Sequence, residues 1–182
     1  MPTPDTTSPL GAIDQPDRAH DAAWLDSEQQ RIWRTYLRAS HALNSYLDRC
    51  LRPFGLSLSE YEILVNLSDS ENWRMRMSEL AEASSQSRSR LTHTITRMEK
   101  LLLVERQACP SDRRGVWAQM TDKGFELLQH AAPAHVASVR AALVDIADPA
   151  DLAAMGRVFE AMLAVPEINE LATIPATSEP GN

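Results

Sequence analysis

Six side chains within one short stretch could do recognition chemistry: Arg88, Ser89, Arg90, Thr92, His93 and Arg97. Each can donate or accept hydrogen bonds, and three carry a guanidinium, which forks onto phosphate oxygens and base edges alike. Ser87, just before them, is of the type that caps a helix, and a capped helix N-terminus attracts phosphate. Farther along, Asp112, Arg113 and Arg114 fall in PSDRRG, where Pro110, Ser111, Asp112 and Gly115 are turn formers. Two adjacent arginines therefore sit at the tip of a loop. Plainer readings stand beside these. The first set can be a solvated helix face, His93 a surface histidine and Asp112 only a turn former.

The elements that must position these groups follow from spacing and caps. Leu91, Ile95, Met98 and Leu102 recur at i, i+4, i+7 and i+11, so they form the inner face of a helix whose outer face holds the polar set. Ahead of it, Ser78 can cap a short helix from Glu79 to Ala83, with Ser84-Ser85-Gln86 as connector. A short helix, a three-residue turn and an amphipathic helix with a basic outer face is the helix-turn-helix plan. Val104–Cys109 and Val116–Thr121 read as strands flanking PSDRRG, a basic-tipped hairpin, and hence a wing. Arg74–Met77 alternates and reads as a short strand.

The flanks read as helix. A first helix from about Ser27 to Arg52 carries Trp33, Tyr36, Leu37, Ser40, Leu43, Asn44, Leu47 and Leu51 on one stripe. It should end before Pro53, with Gly55 turning the chain. At some 26 residues it is long for a small domain, which implies packing beyond its own domain. Ser57 with Glu60 forms a capping box for a second helix. Thr121 and Asp122 open a helix running to about Ala147, which Pro133 is expected to kink or break. Asp148-Pro149 opens a last one, with Leu152, Met155, Val158, Phe159, Met162 and Leu163 on one stripe. Residues 1–22 and 166–182 read as a flexible arm and tail.

Composition narrows the function classes. The 182 residues are 43% hydrophobic and 24% charged, enough to bury a core. No apolar run approaches the roughly 18–20 residues that span a bilayer, and the first residues lack a secretory leader, so a cytoplasmic protein without membrane partners is expected. The net charge of −7 is unevenly spread. Residues 74–123 hold ten basic against six acidic residues and so carry +4, while the rest carries −11. Because screening limits each charge to about 8–10 Å, the basic window decides partner choice, and it fits a nucleic acid. Only two of the eighteen basic residues are lysine; arginine suits phosphate forks, but an Arg- and Ala-rich usage also follows from a GC-rich genome. Without a Gly-rich phosphate loop, nucleophile elbow or HExxH motif, neither an enzyme nor a cofactor is expected.

From about residue 30 to 163 the chain resembles the MarR family of winged-helix transcription regulators. The stretch LAEASSQSRSRLTHTITRMEKLLLVER (80–106) follows the family's run of helix, turn, recognition helix and first wing strand without a gap. DRRGVWAQMTDKG (112–124) is similar to its wing signature, with Asp112, Arg114, Thr121 and Gly124 at the marked positions. It departs at Ser85 and Leu102, where the family usually has glycine, at Gln86, where it has an apolar residue, and at Met120 in place of leucine. The resemblance implies a mainly α fold with a small β-wing. Residues 57–121 would be the DNA-binding lobe within a 23–165 domain, and residues 27–52 and 122–164 would be dimerisation helices. It implies a homodimer on double-stranded DNA, its two recognition helices entering successive major grooves of a near-palindromic operator. The function implied is that of a repressor released by a small, possibly aromatic or phenolic effector. An activator or dual regulator, or an interaction module whose winged helix binds a protein, remain alternatives.

Within that resemblance Arg114 is the wing residue expected to insert into the minor groove and Asp112 the carboxylate that orients a neighbouring arginine. Trp33, Tyr36, Arg38, His41 and Tyr61 are candidates for an effector pocket, with dimer core or plain surface as the alternative for each. Cys50 and Cys109 do not stand where the family's oxidant-sensing cysteine is usual. His130 and His135, at i and i+5, point about 140° apart on a helix, so no metal site is expected.

Overall fold

The computed structural model describes residues 24–109 and 115–169. It falls into two units, Met1–Arg38 and Ala39–Asn182. The residues expected to form the arm lie outside the described part, as do most of those in the expected tail. Helix α1 (Ser27–Leu51) gives its first residues to the first unit. There Asp26 and Gln29 bond each other's main chain: Gln29 N–H donates to Asp26 Oδ1 (2.8 Å) and Asp26 N–H to Gln29 Oε1 (3.0 Å). That reciprocal pair fixes where the helix starts. Trp33 and Tyr36 stack with ring centroids 5.6 Å apart, and both remain exposed, as do Ile32 and Leu37.

In the second unit α1 ends ahead of Pro53, and Gly55 turns the chain at φ +73°. Helix α2 (Leu58–Ser68) starts on the expected box: Glu60 N–H donates to Ser57 Oγ, and Ser57 N–H to Glu60 Oε2. Strand β1 (Arg74–Arg76) leads into α3 (Met77–Ala83) and α4 (Arg88–Lys100). Next come β2 (Val104–Ala108), β3 (Val116–Met120), α5 (Asp122–Val139), α6 (Pro149–Leu163) and a four-residue helix, Pro166–Asn169. The strands form one antiparallel sheet in the order β1-β3-β2, with Arg76 opposite Trp117 and Val104 opposite Met120. Among the described residues no helix is long and apolar enough to cross a membrane.

Apolar burial holds this unit together. Leu64, Leu67, Leu80, Leu91, Ile95 and Met98 are wholly inaccessible and bring α2, α3 and α4 onto the sheet residues Val104, Ala118 and Met120. The first turn of α5 closes against the start of the wing. Thr121 Oγ accepts from Gly124 N–H (3.1 Å) and donates to Leu102 O (2.7 Å). A Cβ on Gly124 would meet Leu103 O at 2.2 Å, so only glycine allows this approach.

Three expectations need correction, the last of them in part. Helix α3 begins at Met77, not Glu79, and Ser78 is not its cap. Pairing with β3 keeps the chain extended through Arg76, whose N–H then donates to Glu79 Oε2 (3.4 Å). Leu102 is not on the inner face of α4. The helix ends at Lys100, and Leu102 takes φ +62° with its side chain 65% exposed, while Leu103 turns inward instead. Of the kink or break expected at Pro133, the break does not occur: α5 runs through it to Val139 although proline has no N–H to donate there. The helical irregularity comes later, in a π-turn over Arg140–Val144.

Candidate nucleic-acid interface

Helix α4 is capped as its sequence demands: Arg90 N–H donates to Ser87 Oγ (3.3 Å). Leu91, Ile95 and Met98 are buried to 0% exposure, and that fixes which face is left outside. Arg88, Ser89, Arg90, Thr92, His93 and Arg97 are all exposed there. They differ in their freedom. The side chains of Arg88, Ser89 and His93 make no hydrogen bond or ion pair among the described residues. The Thr92 hydroxyl donates back to Arg88 O (2.8 Å), so outward it offers an acceptor and a methyl group. Arg90 stands near Glu62: burial raises the Glu62 carboxyl above its usual range, and the positive charge of Arg90 partly opposes that. Arg97 is engaged. Its Nε lies 3.2 Å from Oε1 of Glu60, a carboxylate only 1% exposed, in an ion pair rather than an aligned hydrogen bond.

The turn before α4 carries a strained residue. Ser85 sits at φ +49°, the left-handed region that favours glycine. Ser85 and Leu102 thus bracket α4 with positive φ at the two places where the motif usually has glycine. The turn and the helix end keep their shape and bear the cost of side chains there, of order 1–2 kcal/mol each.

Strand β2 brings a group that periodicity did not reveal. Arg106 extends from β2 to the flank of α4. Its Nη1 pairs with the Glu99 carboxylate, and its Nη2 donates to Thr92 O (2.9 Å) and Thr96 Oγ (3.0 Å). One signal was available: β2 alternates, so Arg106 shares the inward side with the buried Val104, and a half-buried arginine needs a carboxylate. At the base of the wing Trp117 receives the guanidinium groups of Arg74 and Arg76 over its ring, at 5.1 and 5.4 Å. Arg76, Ser78, Arg88, Thr92, Arg106, Gly115 and Val116 line a cleft of about 500 Å³ between α4 and the wing strands. Three guanidinium groups border this cleft, of which that of Arg106 is already matched by Glu99. Asp112, Arg113 and Arg114 lie outside the described residues.

Comparison with known proteins agrees with this arrangement. Residues 56–116 match the model of the MarR family. Over 117 residues the chain is 30% identical to the HTH-type transcriptional regulator PecS of Dickeya dadantii, covering 64% of this chain and 70% of that one. The crystal structure of AbsC, a MarR family transcriptional regulator from Streptomyces coelicolor, superposes with a TM-score of 0.75 at 48% identity, over 79% of this chain and 97% of that one. The chain belongs to the MarR family. A second family member, Sco3205 of Streptomyces coelicolor, was solved in complex with DNA; it matches at 40% identity and TM-score 0.75, over 78% of this chain and 89% of that one. As a MarR-family transcriptional regulator, the protein carries its helix-turn-helix on α3 and α4 and its wing on β2 and β3.

The five effector-pocket candidates are not all brought together. Trp33, Tyr36 and Arg38 belong to the first unit. In the second, the ring of Tyr61 lies tilted against that of His135 with centroids 4.4 Å apart. The two line a cavity of about 500 Å³ with Leu47, Leu58, Val65 and Ala83. His41 opens instead onto a neighbouring, more polar cleft with Asp48, Arg49, Arg52 and Arg90. His135 lines this cavity although spacing alone did not suggest it. Desolvation holds its imidazole below its ordinary pKa, and its Nδ1 is buried without a hydrogen-bond partner. His130 packs edge-on against Phe54, so the two histidines of α5 serve different neighbours. Among the described residues no cluster of three metal-ligating side chains occurs. Cys109 is buried with its Sγ 3.6 Å from Arg76 Nη2, and Cys50 is half-buried.

Proposed function

We propose that the protein is a homodimeric, sequence-specific repressor that leaves a near-palindromic operator when a small molecule binds. The observation that carries this reading is the outer face of α4: a capped helix whose apolar residues are all buried and whose exposed residues are three arginines, a lysine, a histidine and hydroxyls. Ser87, Arg88, Ser89, Arg90, Thr92, His93 and Arg97 are its proposed DNA-contacting set, with Asp112, Arg113 and Arg114 contributed by the wing tip. Relatives support the sign of regulation. The transcriptional repressor MprA of Escherichia coli is 31% identical over 86 residues, 47% of this chain and 49% of that one. The domain division goes with it: residues 57–121 read DNA, and residues 27–52 and 122–164 pair two copies.

The dimer reading rests on α6, none of whose residues is buried within the chain although Val158, Phe159 and Leu163 are large and apolar. A second copy related by a two-fold axis is the partner that would cover such a stripe. The effector reading rests on the cavity beside Tyr61 and His135, whose apolar walls and single unpartnered nitrogen suit a small ring with one polar group. It adjoins Ser84 and Ser85, the turn that sets α4. A ligand there releases DNA only by binding the DNA-competent arrangement more weakly than the other.

Fluorescence anisotropy tests the reading. The probes are the intergenic duplex upstream of the protein's own gene and duplexes the protein selects from a random pool, each at two salt concentrations. Nanomolar binding that saturates at one dimer per site and weakens steeply with salt is expected, with a slope near −0.9 per neutralised phosphate. Weak binding indifferent to sequence would overturn it in favour of a protein partner. Arg114→Ala is expected to weaken operator binding several-fold with dimer mass unchanged; unaltered affinity would remove Arg114 from the interface.

A further inference from the structure

We infer that Arg106 is the positioning residue for DNA readout: it locks the DNA-facing helix α4 to the wing without itself touching DNA. The inference rests on the proposal that α4 reads DNA. The inner face of α4 is packed through Leu91, Ile95 and Met98, and on the side of α2 the helix is tied by the ion pair of Arg97 with Glu60. Apolar contacts set how deep the helix sits but have no direction of their own, and the ion pair to Glu60 ties α4 to α2, not to the wing. Readout of base edges does not tolerate looseness, because each contact needs its donor and acceptor in place.

Arg106 supplies directional contacts between α4 and the wing strand β2. Its guanidinium meets Thr92 O and Thr96 Oγ, one turn apart, and the Glu99 carboxylate in the last turn. Its own backbone N–H donates to the other Glu99 oxygen (3.0 Å), so strand and side chain hold the same carboxylate. The planar fork reaches these groups together; an ammonium is a point donor and cannot. Both side chains of the pair are about seven-tenths shielded, at 27% and 30% exposure, which keeps solvent from loosening them. The pairing also decides what Arg106 does not do. Its charge is matched by Glu99 and three of its five N–H donors are committed, whereas Arg88, across the same cleft, is paired with nothing among the described residues. Arg88 is therefore the phosphate contact of the cleft and Arg106 its fixed wall.

The test uses the full-length protein with Arg106→Lys, Arg106→Gln, Glu99→Gln, the double variant Glu99→Gln/Arg106→Gln and Arg88→Ala. Each is measured against a duplex selected by the wild type and a scrambled duplex, over a range of salt, with thermal melting alongside. Arg106→Lys and Glu99→Gln are expected to lower the ratio of selected to scrambled affinity about tenfold, the scale of one lost base contact. The charge-neutral double variant should lower it no further and keep the wild-type salt slope. Arg88→Ala should flatten that slope by about 0.9 and largely keep the ratio. Wild-type discrimination in Arg106→Lys would overturn the inference. So would a double variant whose salt slope flattens as in Arg88→Ala, which would make Arg106 a phosphate contact. Should Arg106→Gln fail to fold, the lysine variant and Glu99→Gln still decide. A wild type that binds both duplexes alike overturns the DNA reading itself, a result distinct from equal losses across the variants.

Discussion

Two apolar stripes of this chain look alike in sequence and end differently. On α4, Leu91, Ile95 and Met98 are wholly inaccessible within one chain. On α6, Leu152 and Met155 are half-covered, and Val158 and Phe159 remain 57% and 40% exposed. Periodicity says which face of a helix seeks cover; it does not say what provides it. For α4 the cover is α2, α3 and the sheet, assembled from the same chain. For α6 no residue is buried, and the cover proposed for it is a second copy.

The widest consequence concerns α6. Replacing Val158 and Phe159 together by glutamate is expected to halve the mass seen by light scattering and abolish operator binding, with helix content unchanged by circular dichroism. A stable dimer of that variant would assign the stripe another partner. On the other side of the contrast, Ile95→Ala should cost the lobe about 2–5 kcal/mol in denaturant unfolding, because it opens a cavity that rigid neighbours cannot fill. A cost under 1 kcal/mol would mean that the lobe is looser than its burial implies.

A smaller effect of opposite sign is expected at the ends of α4. Ser85→Gly and Leu102→Gly should each stabilise the protein by up to about 1 kcal/mol, since the relief of left-handed strain exceeds the entropy that glycine adds to the unfolded chain. Destabilisation by either would show that the replaced side chain makes contacts worth more than its strain. The smallest effect separates the lobe-facing start of α5 from its later turns. Burial depresses His135, so the folded protein binds its proton less readily than the unfolded chain does. Stability should be full above the ordinary histidine value of 6.5 and fall as pH drops below it. His135→Leu should flatten that fall in thermal melts across pH 5–7; an unchanged profile would assign it to other groups.

Local chemistry made most of the lobe legible. Caps are short-range, so Ser57 with Glu60, Ser87, Thr121 and Asp148 each marked a helix start correctly. Burial on α4 followed from period as far as Met98. Reading failed where a partner distant in sequence intervened. Strand β3 holds Arg76 extended up to the start of α3 at Met77, so Arg76 takes the capping position expected of Ser78 and the helix begins ahead of Glu79. The left-handed Leu102 exchanges inside for outside within one residue, and nothing in leucine announces that. Arg106 was passed over because its role depends on the angle at which β2 returns past α4. The polar face of α4 was legible as a set, but the tie between Arg97 and the buried Glu60 was not, since a capping carboxylate gives no sign of a second partner.

The order of strands in the sheet has a consequence for how the molecule is made. Strand β1 pairs with β3, Arg74 opposite Gln119, and both α3 and α4 lie in the loop that this pairing closes. Such a closure is slow compared with forming the local hairpin of β2 and β3. On the ribosome it must wait until Met120 has emerged. A nascent chain that ends before β3 therefore lacks the strand that holds Arg74–Arg76 extended ahead of α3.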